Sequence, residues 1–403
     1  MAEYKDREHY IPLRKGDLIE LLASHKDLPS QDRDGFRQLC TLVGAVFHFE
    51  YLERLEKLKD AFAPFDPDSQ TAPLKPLSDA ERERKRDEVF REFTSLMERA
   101  NFKHLSRDDV QAAIEGGASD WGINMYVNWA VFDRLEIYAR GDSTSTRTKR
   151  HAIFFWRKIE KEVNTYSRLV ILVKLKPHKS LPEHVDTDDI FLKLFKDIPK
   201  LDLEMVLPGT QLQMPRGQRY KLGGSLLGTI GYAIWKMAGD ILGFAGALVK
   251  GAVTAVPWGV FGVLAGYGYK QYYSYQVTKQ TYSKMLTESL YFQTLDNNAG
   301  VLTRLLDEAE EQECREALLG YYCLWRFAPP EGWTAELLDD YVELFLEGTC
   351  NLKVDFEIGD ALDKLERLGM VDKSGDHYRA APLATALERL DYRWDNYFQY
   401  NKA

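Results

Sequence analysis

The stretch that decides the reading is Leu222–Tyr269, LGGSLLGTIGYAIWKMAGDILGFAGALVKGAVTAVPWGVFGVLAGYGY. Its 48 residues carry only three charges, Lys236, Asp240 and Lys250, and 12 of the chain's 28 glycines. A membrane-spanning helix needs about 20 mostly apolar residues, so this stretch is long enough for two. Glycine at such density weakens a helix in water, by about 1 kcal/mol each against alanine. In a bilayer, small residues instead let helix backbones approach closely. Gly224 with Gly228, Gly239 with Gly243, and Gly262 with Gly266 are all GxxxG pairs, the candidate helix-packing glycines. The expectation is a two-span transmembrane hairpin, turning near Lys250–Gly251 or near Gly239–Gly243. The alternative is a glycine-rich helical hairpin buried in a soluble core or an oligomer interface.

Lys236 and Asp240 stand four apart, on one helical face inside the first apolar stretch. Charge inside a membrane is costly and marks function by default. One reading is a polar seam lining a small oligomeric pore; the plainer one is a self-neutralised pair or a turn dipping into the headgroups. Arg216, Arg219 and Lys221 precede the segment, and Lys270, Lys279 and Lys284 follow it. Both flanks are more basic than the turn, so the flanking parts and both termini are expected to face the cytoplasm, or the matrix in an organelle. Tyr267, Tyr269, Tyr272 and Tyr273 fall where an interfacial aromatic belt would lie.

Working outward towards the N-terminus, residues 1–221 read as an α+β domain, helices first and a small sheet after. Leu39, Leu42, Val43, Val46, Phe47, Leu52 and Leu55 recur at helical spacing. Four prolines between Pro64 and Pro76 break that helix. Ser78 with Glu81 opens the next as a capping box, and Ser106 with Asp109 repeats the signal. Asn124–Arg140 and Tyr166–Lys176 are strand candidates, rich in Val, Ile, Leu and Tyr. Between them, Thr144–Lys161 sets basic residues around Phe154, Phe155 and Trp156. Arg147, Lys149 and Arg150 there form a candidate lipid-surface patch, against the alternative of a hairpin arm and a solvated helix. Ile190–Met214 reads as two extended pieces broken at Pro199 and at Pro208-Gly209.

Residues 270–403 read as helical. Tyr282–Phe327 is one helix ended by Pro329-Pro330, Thr334–Gly348 a second and Ile358–Leu368 a third. A hairpin over Gly369–Arg379 then completes a winged-helix-like order. Residues 331–368 hold 11 acids and three bases. Such a surface repels a phosphate backbone and suits a protein partner.

The whole chain has 403 residues and a net charge of -9, which argues against nucleic-acid binding. Cys40, Cys314, Cys323 and Cys350 form no CxxC pair and read as reduced thiols. No GxxxxGK[ST], no GxGxxG after a strand, no GxSxG and no HExxH occurs. His178 and His184, with Glu183, Asp186, Asp188 and Asp189, are the only cluster of metal-ligand types, loosely spaced in a solvated turn. No catalytic residue, cofactor or metal is therefore expected. Met1–Gly16 lacks the apolar run of a secretory signal and is too acidic for a transit peptide.

The run Lys193-Leu-Phe-Lys-Asp-Ile-Pro-Lys-Leu-Asp-Leu-Glu-Met-Val-Leu-Pro-Gly209, followed by a glycine-rich double apolar stretch, resembles the transmembrane protein 143-like family. So do Tyr10-Ile-Pro-Leu-Arg14 and Tyr138-Ala-Arg-Gly141. The resemblance implies an integral membrane protein with two spans and implies no catalytic residues. The family occurs in bacteria, plants and animal mitochondria; without a transit peptide, a bacterial inner membrane is the expectation here. Three segments result: an α+β cytoplasmic domain (1–221), the transmembrane hairpin (222–269) and an acidic helical domain (270–403). The expected role is a membrane-anchored scaffold or regulatory protein, touching membrane lipids and self-associating through the glycine-rich helices. Its rivals are an oligomeric channel or transport component and a soluble lipid-binding protein that buries the hairpin.

Overall fold

A computed structural model describes residues 7–113, 124–150, 158–213 (without 180, 182–184, 201–202, 204–205 and 209), 273, 276–277, 280 and 290–398 (without 357). For 124–126, 145–150, 158–162 and 211–213 it describes the backbone alone. The expected transmembrane hairpin, Leu222–Tyr269, lies outside the described residues. So do the polar pair Lys236 and Asp240 and the packing glycines Gly224, Gly228, Gly239, Gly243, Gly262 and Gly266, all of which fall within it. Among the described residues, no helix is long and apolar enough to cross a membrane.

The protein is a mixed helix and antiparallel-sheet structure, α+β as the pattern predicts. Helices α1 (Lys15–Ala23), α2 (Arg33–Phe62) and α3 (Asp79–Arg99) come first. Ser78 caps α3, its Oγ accepting from Glu81 N at 3.3 Å while Ser78 N donates to Glu81 Oε2 at 3.0 Å. Such a cap stabilises by about 1 kcal/mol. The Ser106–Asp109 box has the same reciprocal form and starts a helix over 107–113.

The strands are β1 (Lys103–His104), β2 (Asn124–Val127), β3 (Phe132–Arg150), β4 (Lys158–Leu175), β5 (Ile190–Pro199), β6 (Thr210–Gln213) and β7 (Thr294–Asn297). Five of them form one antiparallel sheet in the order β1-β3-β4-β5-β7, and β2 pairs with β6. The expected strand over Asn124–Arg140 is two, because Asn128 accepts from Ala130 N and turns the chain at 129–131. Helix α4 (Ala299–Phe327) starts later than its pattern suggests. Before it, Asn298 adopts φ 48° and exchanges hydrogen bonds with Leu192, which places β7 at the sheet edge. Four residues, TLDN, carry no strand periodicity of their own.

Then follow β8 (Trp333–Thr334), α5 (Ala335–Cys350), α6 (Ile358–Arg367), β9 (Val371–Ser374), β10 (His377–Ala380) and α7 (Leu383–Asp395). The hairpin β9–β10 turns over Gly375 and Asp376, and β8 adds the third strand.

Three cores hold these layers. On one face of the sheet, Tyr138, Val170, Leu172, Leu192 and Leu194 pack under the second half of α2, α3 and the start of α4. The opposite face buries Ile137, Leu169, Ile171, Val173 and Phe195 beneath short connections. A third core joins α1, the first half of α2, the end of α4 and α5–α7. Each fully buried Leu, Val or Phe contributes about 1.5–3 kcal/mol. The N-terminal helices thus share one core with the C-terminal helices. Helices α2 and α4, of 30 and 29 residues, run through both helix-bearing cores as common spines.

Candidate functional site

Between the apolar ends of α4 lies Asp307–Glu316, DEAEEQECRE, which no apolar stripe would bury. Yet Glu310, Gln312, Glu313, Arg315 and Glu316 are all buried. A buried charge must be paired, and Glu308, Glu310, Glu313 and Glu316 each meet a basic side chain from a different element. Glu308 pairs with Arg140 of β3. Glu310 Oε2 lies 3.0 Å from His48 Nδ1 of α2. Arg99, at the end of α3, reaches Glu313 at 3.0 Å. Lys364 of α6 sits 3.1 Å from Glu316 and 3.7 Å from Glu313. Burial pushes the Glu316 carboxyl above its ordinary range, against Lys364 and hydrogen bonds from Gln312 and Asn101. The belt joins the helices that cover the sheet (the sheet lobe) to the core of α1 and α5–α7 (the helical lobe), and each of these four carboxylates has a partner in it. Beside it, His9, Glu98, Arg99, Asn101, Lys103 and Asp360 line an open cleft of about 640 Å³.

Two of the short motifs quoted above meet at this belt. The Arg140 guanidinium lies 4.2 Å from the Tyr10 ring and 4.4 Å from Phe102, and donates to Ala100 O at 2.8 Å. Gly141 has φ 75°, and a Cβ there would stand 2.8 Å from Ser167, so the strand can turn at this position only with glycine. Residues 7–14 form a strap. Glu8 N donates to Lys353 O, Asp355 N donates to Glu8 O, and Arg315 donates to Ile11 O and Leu13 O at 2.8 and 2.7 Å.

On α5, Asp339 and Glu343 stand one turn apart beside Glu347, with Arg7 3.3 Å from Glu343 and 3.1 Å from Glu347. Asp339 is 8% exposed and its Oδ1 has no hydrogen-bond partner. Burial, with the charges of Glu343, Asp355 and Asp340, pushes its carboxyl up to about 7. An unfolded aspartate titrates near pH 3.9. The folded state therefore holds the proton more tightly, and stability from this group falls as pH rises from about 4 through 7. Asp339→Asn is expected to gain about 2 kcal/mol on the native chain between pH 5 and pH 8. Urea unfolding at the two pH values measures it, and parallel pH responses of variant and native chain would refute it.

The third feature is an apolar trough on the outer sheet face, of about 380 Å³. Ile171, Val173, Phe191 and Phe195 of the sheet line it, with Pro208 and Leu290 from the connections. Lys193 lies within it, Nζ donating to Asn297 Oδ1 at 2.7 Å.

Arg147, Lys149 and Arg150 fall on the outer part of β3, paired in register with Lys161, Ile159 and Lys158 of β4. That ladder is the hairpin arm weighed from sequence. It runs beyond the last β4–β5 pair, Thr165 with Pro199, for seven residues of each strand, or about 23 Å. His184 and Glu183 lie outside the described residues; nearby, Asp188 N donates to Asp186 Oδ1 in a local turn. Among the described residues, no group of three or more His, Cys, Asp or Glu is arranged to hold a metal. The cysteines are free, and burial pushes the Cys314 thiol up to about 12. The belt escaped sequence reading, although ten consecutive mostly polar residues inside a leucine-bearing helix signalled it.

Helices on one face of an antiparallel sheet and an apolar trough on the other define the class as a mixed α+β protein. Within it, residues 166–300 are a domain matching the family model described as Protein of unknown function (DUF3754). That domain spans most of β4, then β5, β6 and β7, together with the glycine-rich stretch between them, and it contains every described residue that lines the trough. No solved structure matches the chain.

Proposed function

We propose that this chain is a membrane-anchored scaffold or regulatory protein of the transmembrane protein 143-like type, with the DUF3754 domain as its membrane-facing unit. The observation that carries this reading is that Pro208 and Leu290, which flank the charge-poor stretch Leu222–Tyr269 in sequence, line the same trough. A segment that crosses a bilayer twice must leave and re-enter its soluble body on the same side, which suits two flanks that reach one trough. Within that segment, the pairs Gly224 and Gly228, Gly239 and Gly243, and Gly262 and Gly266 would let the two spans pack closely, with each other or with a second copy. The basic residues Arg147, Lys149 and Arg150 on the β3–β4 arm suit anionic headgroups, each such cation adding about 1 kcal/mol near a membrane surface. Basic flanks on both sides of the segment favour cytoplasmic termini, at a bacterial inner membrane. The acidic α5 and α6 then offer a winged-helix-like surface to a protein partner.

Alkaline carbonate washing of membranes from cells expressing the full chain tests the reading. Retention in the pellet, lost on deleting Leu222–Tyr269, is the expected result. Release of the full chain as a soluble oligomer would overturn it and establish the segment as a protein core. Channel activity through Lys236 and Asp240 predicts ion flux in reconstituted vesicles that disappears when both are alanine.

A further inference from the structure

The trough on the outer sheet face points to a ligand of its own. Its volume, about 380 Å³, is near the lower end of small-molecule sites, which suits one extended chain rather than two. Among the described residues, its lining is apolar apart from Lys193, Thr294 and Asn297. Among the described residues no carboxylate stands in ion-pair contact with Lys193; its Nζ is held by a neutral amide oxygen, that of Asn297. Burial pushes the Lys193 ammonium below its ordinary range, against the opposing charge of Asp68. An anion arriving at Nζ would supply the missing partner, and charge-assisted hydrogen bonds are about twice as strong as neutral ones. A single cation beside a narrow apolar channel matches a molecule with one anionic end and one apolar tail.

We propose that this trough binds a long-chain fatty acid, its carboxylate on Lys193 and its acyl chain along Ile171, Val173, Phe195 and Leu207. No bond forms or breaks; the ligand is held. The proposal rests on the membrane reading for the source of the ligand, whereas the trough itself is built from β4, β5 and β7 in either case.

The test uses the purified full chain, in phospholipid nanodiscs if the carbonate wash retains it and in plain buffer if not. Palmitic acid bearing an aliphatic diazirine is the probe; after irradiation, the labelled peptides are mapped by mass spectrometry. Labelling over residues 171–175, 191–195 and 206–208 is expected, displaced by unlabelled palmitate. Lys193→Gln is expected to weaken apparent affinity about tenfold, the loss of one charge-assisted contact. Val173→Trp, which fills the trough, is expected to abolish labelling. Lys193 is half-buried at the sheet surface, so Lys193→Gln reads the site even if the tryptophan variant fails to fold. Labelling unchanged in Lys193→Gln, or equal labelling by a diazirine phospholipid, would assign the trough to bilayer acyl chains and overturn the fatty acid. Label confined to 222–269, with none in the trough, would mean that this segment or nothing occupies it, and would also overturn the proposal. The carbonate wash decides membrane attachment independently of any of these results.

Discussion

Lys364→Met is expected to destabilise the protein by about 3–5 kcal/mol, the usual cost of removing one partner from a buried ion pair. Lys364 is 6% exposed, and the two carboxylates it serves, Glu313 and Glu316, are 2% exposed each. Glu313 keeps Arg99 at 3.0 Å after the change, but Glu316 retains only neutral donors, Gln312 and Asn101. The deficit falls on Glu316, whose carboxyl burial already holds above its ordinary range. Without the ammonium it would take a proton or force its helix turn towards water. Adding Glu316→Gln should therefore recover much of the loss, because replacing both members of a buried pair is often close to neutral. The excess recovery in the double variant is the coupling energy, expected at about 1–3 kcal/mol for groups in direct contact. The Lys364→Met penalty should also shrink at acid pH, where Glu316 is neutral without help. Urea unfolding of the two single variants and the double variant measures all three quantities. A single variant within about 0.5 kcal/mol of the native chain, the range of ordinary surface changes, would show that the belt does not bear on stability.

The parts legible in the sequence were those written in local chemistry. The Ser78–Glu81 and Ser106–Asp109 boxes, the breaks at Pro199 and Pro208, and the turn after Ser374 each need only a few adjacent residues. Strand β4 declared itself from Tyr166 onward by its Val, Ile and Leu run, and β5 as an extended piece ending at Pro199, whereas Lys158–Thr165, expected in part as a solvated helix, continues β4. What was hidden depends on partners far along the chain. Strand β7 is specified by Asn298 meeting Leu192, 106 residues away. The burial of DEAEEQECRE depends on basic side chains from α2, α3, β3 and α6, none of which marks itself as a partner. For the candidate site, Lys193 stood inside a motif quoted for its resemblance, yet its place in an apolar trough needed the sheet register. The alternation of β5 sends Leu192 and Leu194 to the helix-covered core and Phe191, Lys193 and Phe195 to the trough.

Arg140→Met carries the other large effect, and its signature is local as well as global. The guanidinium is sandwiched between Tyr10 of the strap and Phe102, and it pairs with Glu308 of α4. Cation–π contacts of a desolvated arginine are worth about 2 kcal/mol each, and the abandoned Glu308 would keep only Arg168 and Arg304, at 3.9 and 3.6 Å. The total loss is expected at about 3–5 kcal/mol. Arg140→Lys should rescue only part of it, because an ammonium lacks the planar fork that stacks on both rings while donating to Ala100 and Glu308. The strap is the place to look. Glu8 accepts from Asp142 of the sheet lobe and joins residues 353–355 of the helical lobe, while His9 O accepts from Asn101. A strap that loses Tyr10's anchor should open before either lobe does, since local unfolding follows the weakest cooperative unit. Amide hydrogen exchange over residues 8–13 is expected to rise about tenfold or more in Arg140→Met, for each 1.4 kcal/mol lost locally. Exchange over α2 and β4 should change far less. Uniform acceleration across the chain would mean that Arg140 supports the global fold alone, and unchanged exchange at the strap would remove its role as the clasp between the lobes.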